Sequence, residues 1–395
     1  MRILRQTLGA LTTGFASLRA RRGRLLLTAA GFLIAGMTLV ILLTIPAGMR
    51  RVAGNTGLAD VAMVLSARAT NEISSRISPG TAALIGTLPG VAHGPHGHVL
   101  AAPQFLADAK LRQAEGSLVT VQVRGVTPKF WQILAGAVRL TRGKRFGPGL
   151  DQLIVGGAAT RRFVALVPGA QVPVHNAPWR VTGVFSAGGG MWGSELWTDI
   201  GALQAAYNAQ GQISVIWVKL TSPAAFKTFD AAIKADPRMR AVKAWPQQGY
   251  YAGQIGFLTH FANVAIIGIA VVLGLGAILA IFNAVGMALA ARRRETAVLR
   301  AIGFGRLGLA LALLIEVLVV AIVCAGIALA IGWLVLNGQT VDSSSFGQAL
   351  SFSMRVTPTV AWLVLVYLVL LGILSATWPI ARAVCAPLPE TLQSE

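Results

Sequence analysis

Between Ile255 and Ala291 the chain carries no Asp, Glu, Lys or Arg. A helix over that whole run would be roughly 55 Å long at about 1.5 Å per residue, against about 30 Å for the hydrocarbon core of a bilayer. A helix this long and apolar on every side belongs in lipid. The run therefore predicts a span whose first turns, with His260 and Asn263, stand above the membrane as a stalk. It stops at Ala291-Arg-Arg-Arg-Glu-Thr-Ala-Val-Leu-Arg-Ala-Ile-Gly-Phe-Gly-Arg306, an island with five arginines and one acid. A second apolar run, 307–336, follows at once, with Glu316 its single acid.

Two further runs, 25–49 and 358–379, are also long enough to cross, and Pro46 and Pro379 lie near their ends. Only 12% of the chain is charged, about half the share of a soluble protein. Short-loop arginines set the orientation. Residues 1–24 hold six, the 292–306 island five, the 380–395 tail one and the 337–357 connection one. The N-terminus, island and tail are thus predicted on the cytoplasmic face of the membrane. Residues 50–254 and the 337–357 loop are predicted outside it. Residues 1–24, with arginines interleaved among Ile3, Leu4, Leu8, Leu11, Phe15 and Leu18, predict an amphipathic helix lying on lipid phosphates.

Residues 50–254 change character. Val119–Arg124, Gln152–Gly156, Gln171–Val174, Trp179–Phe185 and Ile213–Leu220 alternate as strands do, and Ser78–Leu88, Ala158–Leu166, Asp199–Tyr207 and Pro223–Ala235 predict short helices. The fold class expected is an integral membrane α-helical protein of four transmembrane helices, with an α+β extracytoplasmic domain inserted between the first and second. The two cysteines, Cys324 and Cys385, are expected as free thiols.

The formal charge of +20 does not point to nucleic acid, because the arginines flank apolar spans and no recognition motif is present. No Gly-x-x-x-x-Gly-Lys-Ser/Thr sequence occurs, so nucleotide phosphates have no cradle of that kind here. His93-Gly-Pro-His-Gly-His98 has imidazoles enough for a metal but sits in a turn with no cysteine or acid beside it, and reads as an exposed loop. Ala187-Gly-Gly-Gly-Met-Trp-Gly-Ser-Glu195 lacks dinucleotide spacing and reads as a loop, a candidate for facing a partner. No nucleophile–base pattern stands out, so no catalytic, cofactor or metal residues are assigned in this chain.

The island is the candidate functional element. Arg292 to Leu299 should be helical, with Glu295 within a turn of arginines, and Gly303 and Gly305 should end that helix. On the residues alone it serves either to anchor the topology at lipid phosphates or to pair with acids on a soluble partner. Glu316, alone in its span, should face protein or snorkel to the surface, with packing against the arginine-rich turn the expected arrangement.

Four segments resemble the MacB/FtsX/LolC type of ABC transporter permease. They are Arg19–Gly31 leading into the first span, Arg292–Arg306, Glu316, and Ala376-Thr-Trp-Pro-Ile-Ala-Arg-Ala383 with Pro387 and Leu392. Ile380 and Thr391 replace the small residues usual there. In the inserted domain, Gly143–Phe146, Leu153–Gly156, Pro168–Val172 and Trp179–Phe185 are similar to that family's succession of turns and strands. The resemblance implies that the island is a coupling turn contacting a separate cytoplasmic ABC ATPase, which binds ATP and magnesium. It makes Arg292, Arg293, Arg294, Glu295, Arg300, Gly303 and Arg306 the contact residues. It further implies a homodimer with two ATPase subunits and a periplasmic adaptor or membrane-fusion protein as a possible partner. A non-transporting regulator of a cell-wall hydrolase, or a membrane-anchored scaffold without an ATPase, fits the same topology.

Overall fold

The computed structural model of the chain describes residues 22–113, 116–134, 136–163, 166–291, 293–302, 304–343 and 350–385. The predicted N-terminal surface helix therefore falls almost wholly outside the described residues, as do Pro387, Thr391 and Leu392. In chain order, helix α1 (Arg22–Gly54) leads to β1 (Val61–Ser66), α2 (Pro79–Ile85), β2 (Ala101–Arg112), β3 (Leu118–Val126) and α3 (Lys129–Leu134). Then come β4 (Arg139–Gly143), β5 (Gln152–Gly156), α4 (Gly157–Arg162), β6 (Gln171–Val174), β7 (Ala177–Ser186) and β8 (Leu196–Asp199). The domain ends with α5 (Ile200–Ala206), β9 (Val215–Lys219), α6 (Phe226–Ala235) and β10 (Val242–Pro246). Helix α7 (Gln247–Ala290), the short α8 (Arg293–Ala301), α9 (Arg306–Leu336), the hairpin β11 (Thr340–Ser343) and β12 (Leu350–Ser353), and α10 (Pro358–Cys385) complete it.

The chain divides into two compact units. One comprises residues up to 47, 260–339 and 354 onward; the other comprises 48–259 and the hairpin 340–353. Among the described residues four helices, α1, α7, α9 and α10, are long and apolar enough to cross a membrane. Phe32, Leu39 and Val40 of α1, Ile281 and Val285 of α7, Leu309 and Leu313 of α9, and Val364, Leu368 and Leu371 of α10 form one buried core. Small residues let these helices approach, as membrane packing requires. A Cβ on Gly36 would lie 2.9 Å from Leu368 Cδ1 and 3.3 Å from the Ala328 methyl. Gly36→Val should cost about 1–3 kcal/mol through overpacking, read as a lower thermal midpoint of the purified chain in detergent. An unchanged midpoint would mean the helices do not meet there. Cys324 is buried and Cys385 exposed, both as free thiols.

The inserted unit is built on a ten-stranded sheet in the order β10-β1-β9-β2-β3-β8-β5-β7-β4, with β6 pairing β7. Pairing is antiparallel except for β3 with β8 and β5 with β7. The strands expected from alternation, now β3, β5, β6, β7 and β9, are present. Strands β1 and β2 escape that reading for a physical reason. Met63 of β1 packs on one face of the sheet while Ala62 and Val64 pack on the other. A strand buried on both faces reads as a continuous apolar run instead of an alternating one. The short helices follow local chemistry: Ser78 accepts from Thr81 N ahead of Pro79 at the start of α2, and Asp199 accepts from Ala202 N to start α5.

Candidate functional site

The island forms the helix α8, tied to the membrane unit through buried Ala297 and through Leu299 and Phe304, which pack against its core. The helix closes with Ile302 N donating to Val298 O at 3.0 Å. Gly305 is the N-cap of α9 in extended conformation, and α8 itself ends at Ala301. Arg293, Arg294 and Glu295 lie in the first turn of α8. Arg300 is half-buried in its last turn, and Arg306, exposed, opens α9. Arg292 and Gly303 lie outside the described residues. Glu316 of α9 lines a cavity of about 50 Å³ with Thr28 of α1, Val285 of α7, Leu313 and Ile380. It thus faces protein, as a lone carboxyl in a span is expected to.

Among the described residues no three His, Cys, Asp or Glu side chains come together as a metal would need. The ring of His98 bonds Gln132 Oε1 at 2.7 Å.

Within the inserted unit lies a constellation that sequence reasoning misses. Arg124 of β3, with 0% exposure, is held by two carboxylates. Its Nε donates to Glu195 Oε2 at 2.7 Å and its Nη2 to Glu195 Oε1 at 2.8 Å. Its Nη1 donates to Glu72 Oε2 at 2.8 Å and to Gln104 Oε1 at 2.7 Å. The guanidinium carbon lies 5.1 Å from the centre of the Trp217 ring, within cation–π range. Trp197 Nε1 donates to Glu195 Oε2 at 2.7 Å. Burial by itself would favour loss of the Arg124 proton, but the Glu195 and Glu72 carboxylates reverse that and hold the group well above its ordinary range.

This cluster reaches the start of α7. Tyr251, buried, donates to Glu72 Oε1 at 3.0 Å and accepts from Trp192 Nε1 at 3.3 Å. Trp192 sits in the 3-10 turn Met191–Ser194, inside the glycine-rich run. Gly188 and Gly189 of that run are exposed, and the run contacts the residues that follow α1: Thr56 Oγ1 accepts from Met191 N at 2.8 Å, and Asn55 Nδ2 donates to Gly188 O at 3.2 Å. Leu58 N donates to Gln247 Oε1 at 2.8 Å, so the chain leaving α1 and the chain opening α7 are pinned side by side. The one sequence cue was Glu195, an acid two residues before a tryptophan in a domain rich in basic residues.

Four apolar spans, a charged turn between the second and third, and a mixed domain carried between the first and second are the layout of a permease subunit of the ABC-transporter type, and the family models assign that class. The chain belongs to the FtsX-like permease family with a MacB-like periplasmic core domain: residues 25–236 match the family model for that core domain, and 267–387 match that for the FtsX-like permease C-terminal region. Among solved structures it is similar to the periplasmic region of MacB from Actinobacillus actinomycetemcomitans, at 14% identity over 49% of this chain and 91% of that one, with a TM-score of 0.37. It is also similar to the extracellular domain of the ABC-type transporter YknZ from Gram-positive bacteria, at 13% identity over 47% of this chain and 99% of that one, with a TM-score of 0.36. None of the curated proteins compared with it matches.

Proposed function

We propose that this chain transmits ATP-driven motion from a separate cytoplasmic ATPase, through the 292–306 turn, to an external domain that exports or extracts a substrate. The observation that carries the reading is the length of its second membrane helix. Helix α7 has 44 residues, about 66 Å at 1.5 Å per residue, roughly twice what a bilayer core takes up. Its first residues, Gln247 to Thr259, belong to the inserted unit, and the rest belong to the membrane unit. One continuous helix thus carries the chain from the domain to the residue before the arginine turn. Helix α1, with 33 residues, likewise has residues in both units on the other side of the insertion.

In this reading the basic side chains of α8 meet acids on the ATPase, which supplies the nucleotide and magnesium site that the chain has no motif for. Two copies work with two ATPases. Apolar Val264, Ile267, Val271 and Leu275 of α7 are exposed at near-helical spacing, a face suited to a second copy or to lipid. N- and C-termini are cytoplasmic, and the membrane is the inner one.

The test is reconstitution with the cognate ATPase in vesicles. Reversing charge with Arg293→Glu and Arg294→Glu should lower permease-stimulated ATP hydrolysis about tenfold or more, since like charges brought together at an interface cost several kcal/mol. Stimulation equal to that of the unaltered chain would remove the turn from this role.

A further inference from the structure

The proposed function needs a joint at which α7 grips the external domain firmly enough to move it. Apolar contact alone slides, because dispersion and burial have no preferred direction. Hydrogen bonds to charged groups are directional, and are lost over shifts of about an ångström. Among the described residues of the inserted unit, the α7 side chain that is both fully buried and bonded to a charged partner is Tyr251.

We propose that Tyr251, Glu72, Arg124 and Glu195 form that joint, with Arg124 as a positioning residue that fixes Glu72 where the hydroxyl of Tyr251 can hold it. The idea rests on the transmission reading above. Its chain of contacts is short and continuous: Tyr251 on α7 to Glu72, Glu72 to Arg124 on β3, and Arg124 to Glu195 at the head of β8. Strands β3 and β8 are parallel neighbours in the middle of the sheet, so a pull on Tyr251 reaches the centre of the domain and not its edge. The end of α1 enters at the same point. Thr56 holds Met191, and the adjoining Trp192 donates to the Tyr251 hydroxyl. Both membrane helices therefore converge on one hydroxyl group. An ionic cluster is a poor way merely to stabilise a core, because apolar residues of similar volume do as well or better. What it does provide is a defined position, and a joint requires that.

The variant is Tyr251→Phe, which keeps the ring and removes the hydroxyl. The control is Thr259→Val, whose hydroxyl donates to Gly256 O on the same helix. Hydrogen–deuterium exchange of the full chain in lipid nanodiscs reads the joint directly. Losing a hydrogen bond to a charged partner should speed exchange of the 247–255 amides about tenfold. Peptides from β2, β3 and β9 should keep their protection, and Thr259→Val should behave like the unaltered chain. Unchanged exchange at 247–255, or equal loosening of β3, would overturn the proposal, the second outcome because the group would then only hold the fold together.

A second arm adds the ATPase with ATP and vanadate. The unaltered complex should alter exchange in β3 and β8, and Tyr251→Phe should abolish that change while sparing the change in α8. If both chains respond alike, the joint lies elsewhere. If the unaltered complex does not respond at all, the transmission reading fails, and the first arm still decides whether Tyr251 ties the helix to the sheet.

Discussion

Replacing Arg124 with Met should lower the stability of the inserted unit by about 3–5 kcal/mol, because it leaves two buried carboxylates facing each other without their cation. Glu72 and Glu195 are 6% and 5% exposed, so water cannot take over the role of the guanidinium. For a unit of this size the loss corresponds to a midpoint roughly 10 °C lower. Trp217 beneath the guanidinium and Trp197 on Glu195 make tryptophan fluorescence a suitable probe. Removing the carboxylates as well sharpens the test. In Arg124→Met with Glu72→Gln and Glu195→Gln no buried charge is left, and much of the loss should be recovered, since a buried ion pair and a neutral replacement differ far less than an intact pair and a broken one. A single variant as stable as the starting protein would mean that the cluster is open to solvent. A triple variant less stable than the single would mean that hydrogen-bond geometry, and not charge, dominates.

That cluster marks where the sequence stops being readable. The spans could be read from local composition, because a bilayer demands an uncharged run whatever lies elsewhere in the chain. The arginine turn could be read from its place between two such runs, and β5, β6, β7 and β9 from alternation or flanking turns. Arg124 could not. In Val119-Thr-Val-Gln-Val-Arg it occupies a position where an alternating strand normally shows a polar residue to water. Its partners Glu72 and Glu195 are 52 and 71 residues away. Only the folded domain brings them together: the sheet order sets Glu195, at the head of β8, beside β3, and the segment after β1 carries Glu72. The second face of β3 is covered by Trp192, Trp217 and Tyr251, the last of them from the opening turns of α7, which start at Gln247, ahead of the uncharged run where composition places the stalk. A pattern confined to one strand carries no record of what covers that strand's far side. The same limit applies to the glycine run at 187–190, whose lack of side chains is as consistent with an open loop as with one pressed against Asn55 and Thr56.

Gly156→Ala should cost about 3 kcal/mol or more, although it adds only one methyl group. A Cβ there would lie 2.1 Å from Gly193 O and 2.4 Å from Gly193 C. These are backbone atoms of the turn leading to Glu195, and they have no rotamer with which to retreat. The same glycine donates from its N–H to Glu195 O at 2.9 Å. Pushing the turn off β5 therefore also draws Glu195 away from Arg124. Gly157→Ala is the matched control. Its new methyl would meet Phe185 O at an ordinary 3.4 Å, and it stands at the first position of α4, where alanine is favoured over glycine. It should be neutral or slightly stabilising. Because Gly156→Ala and Glu195→Gln damage the same contact, their costs should not add: in the Glu195→Gln background the glycine substitution should cost about 1 kcal/mol less than alone. Full additivity in denaturant unfolding would show that the turn and the ion cluster are independent. A Gly156→Ala variant as stable as Gly157→Ala would show that the turn does not press on β5 at all.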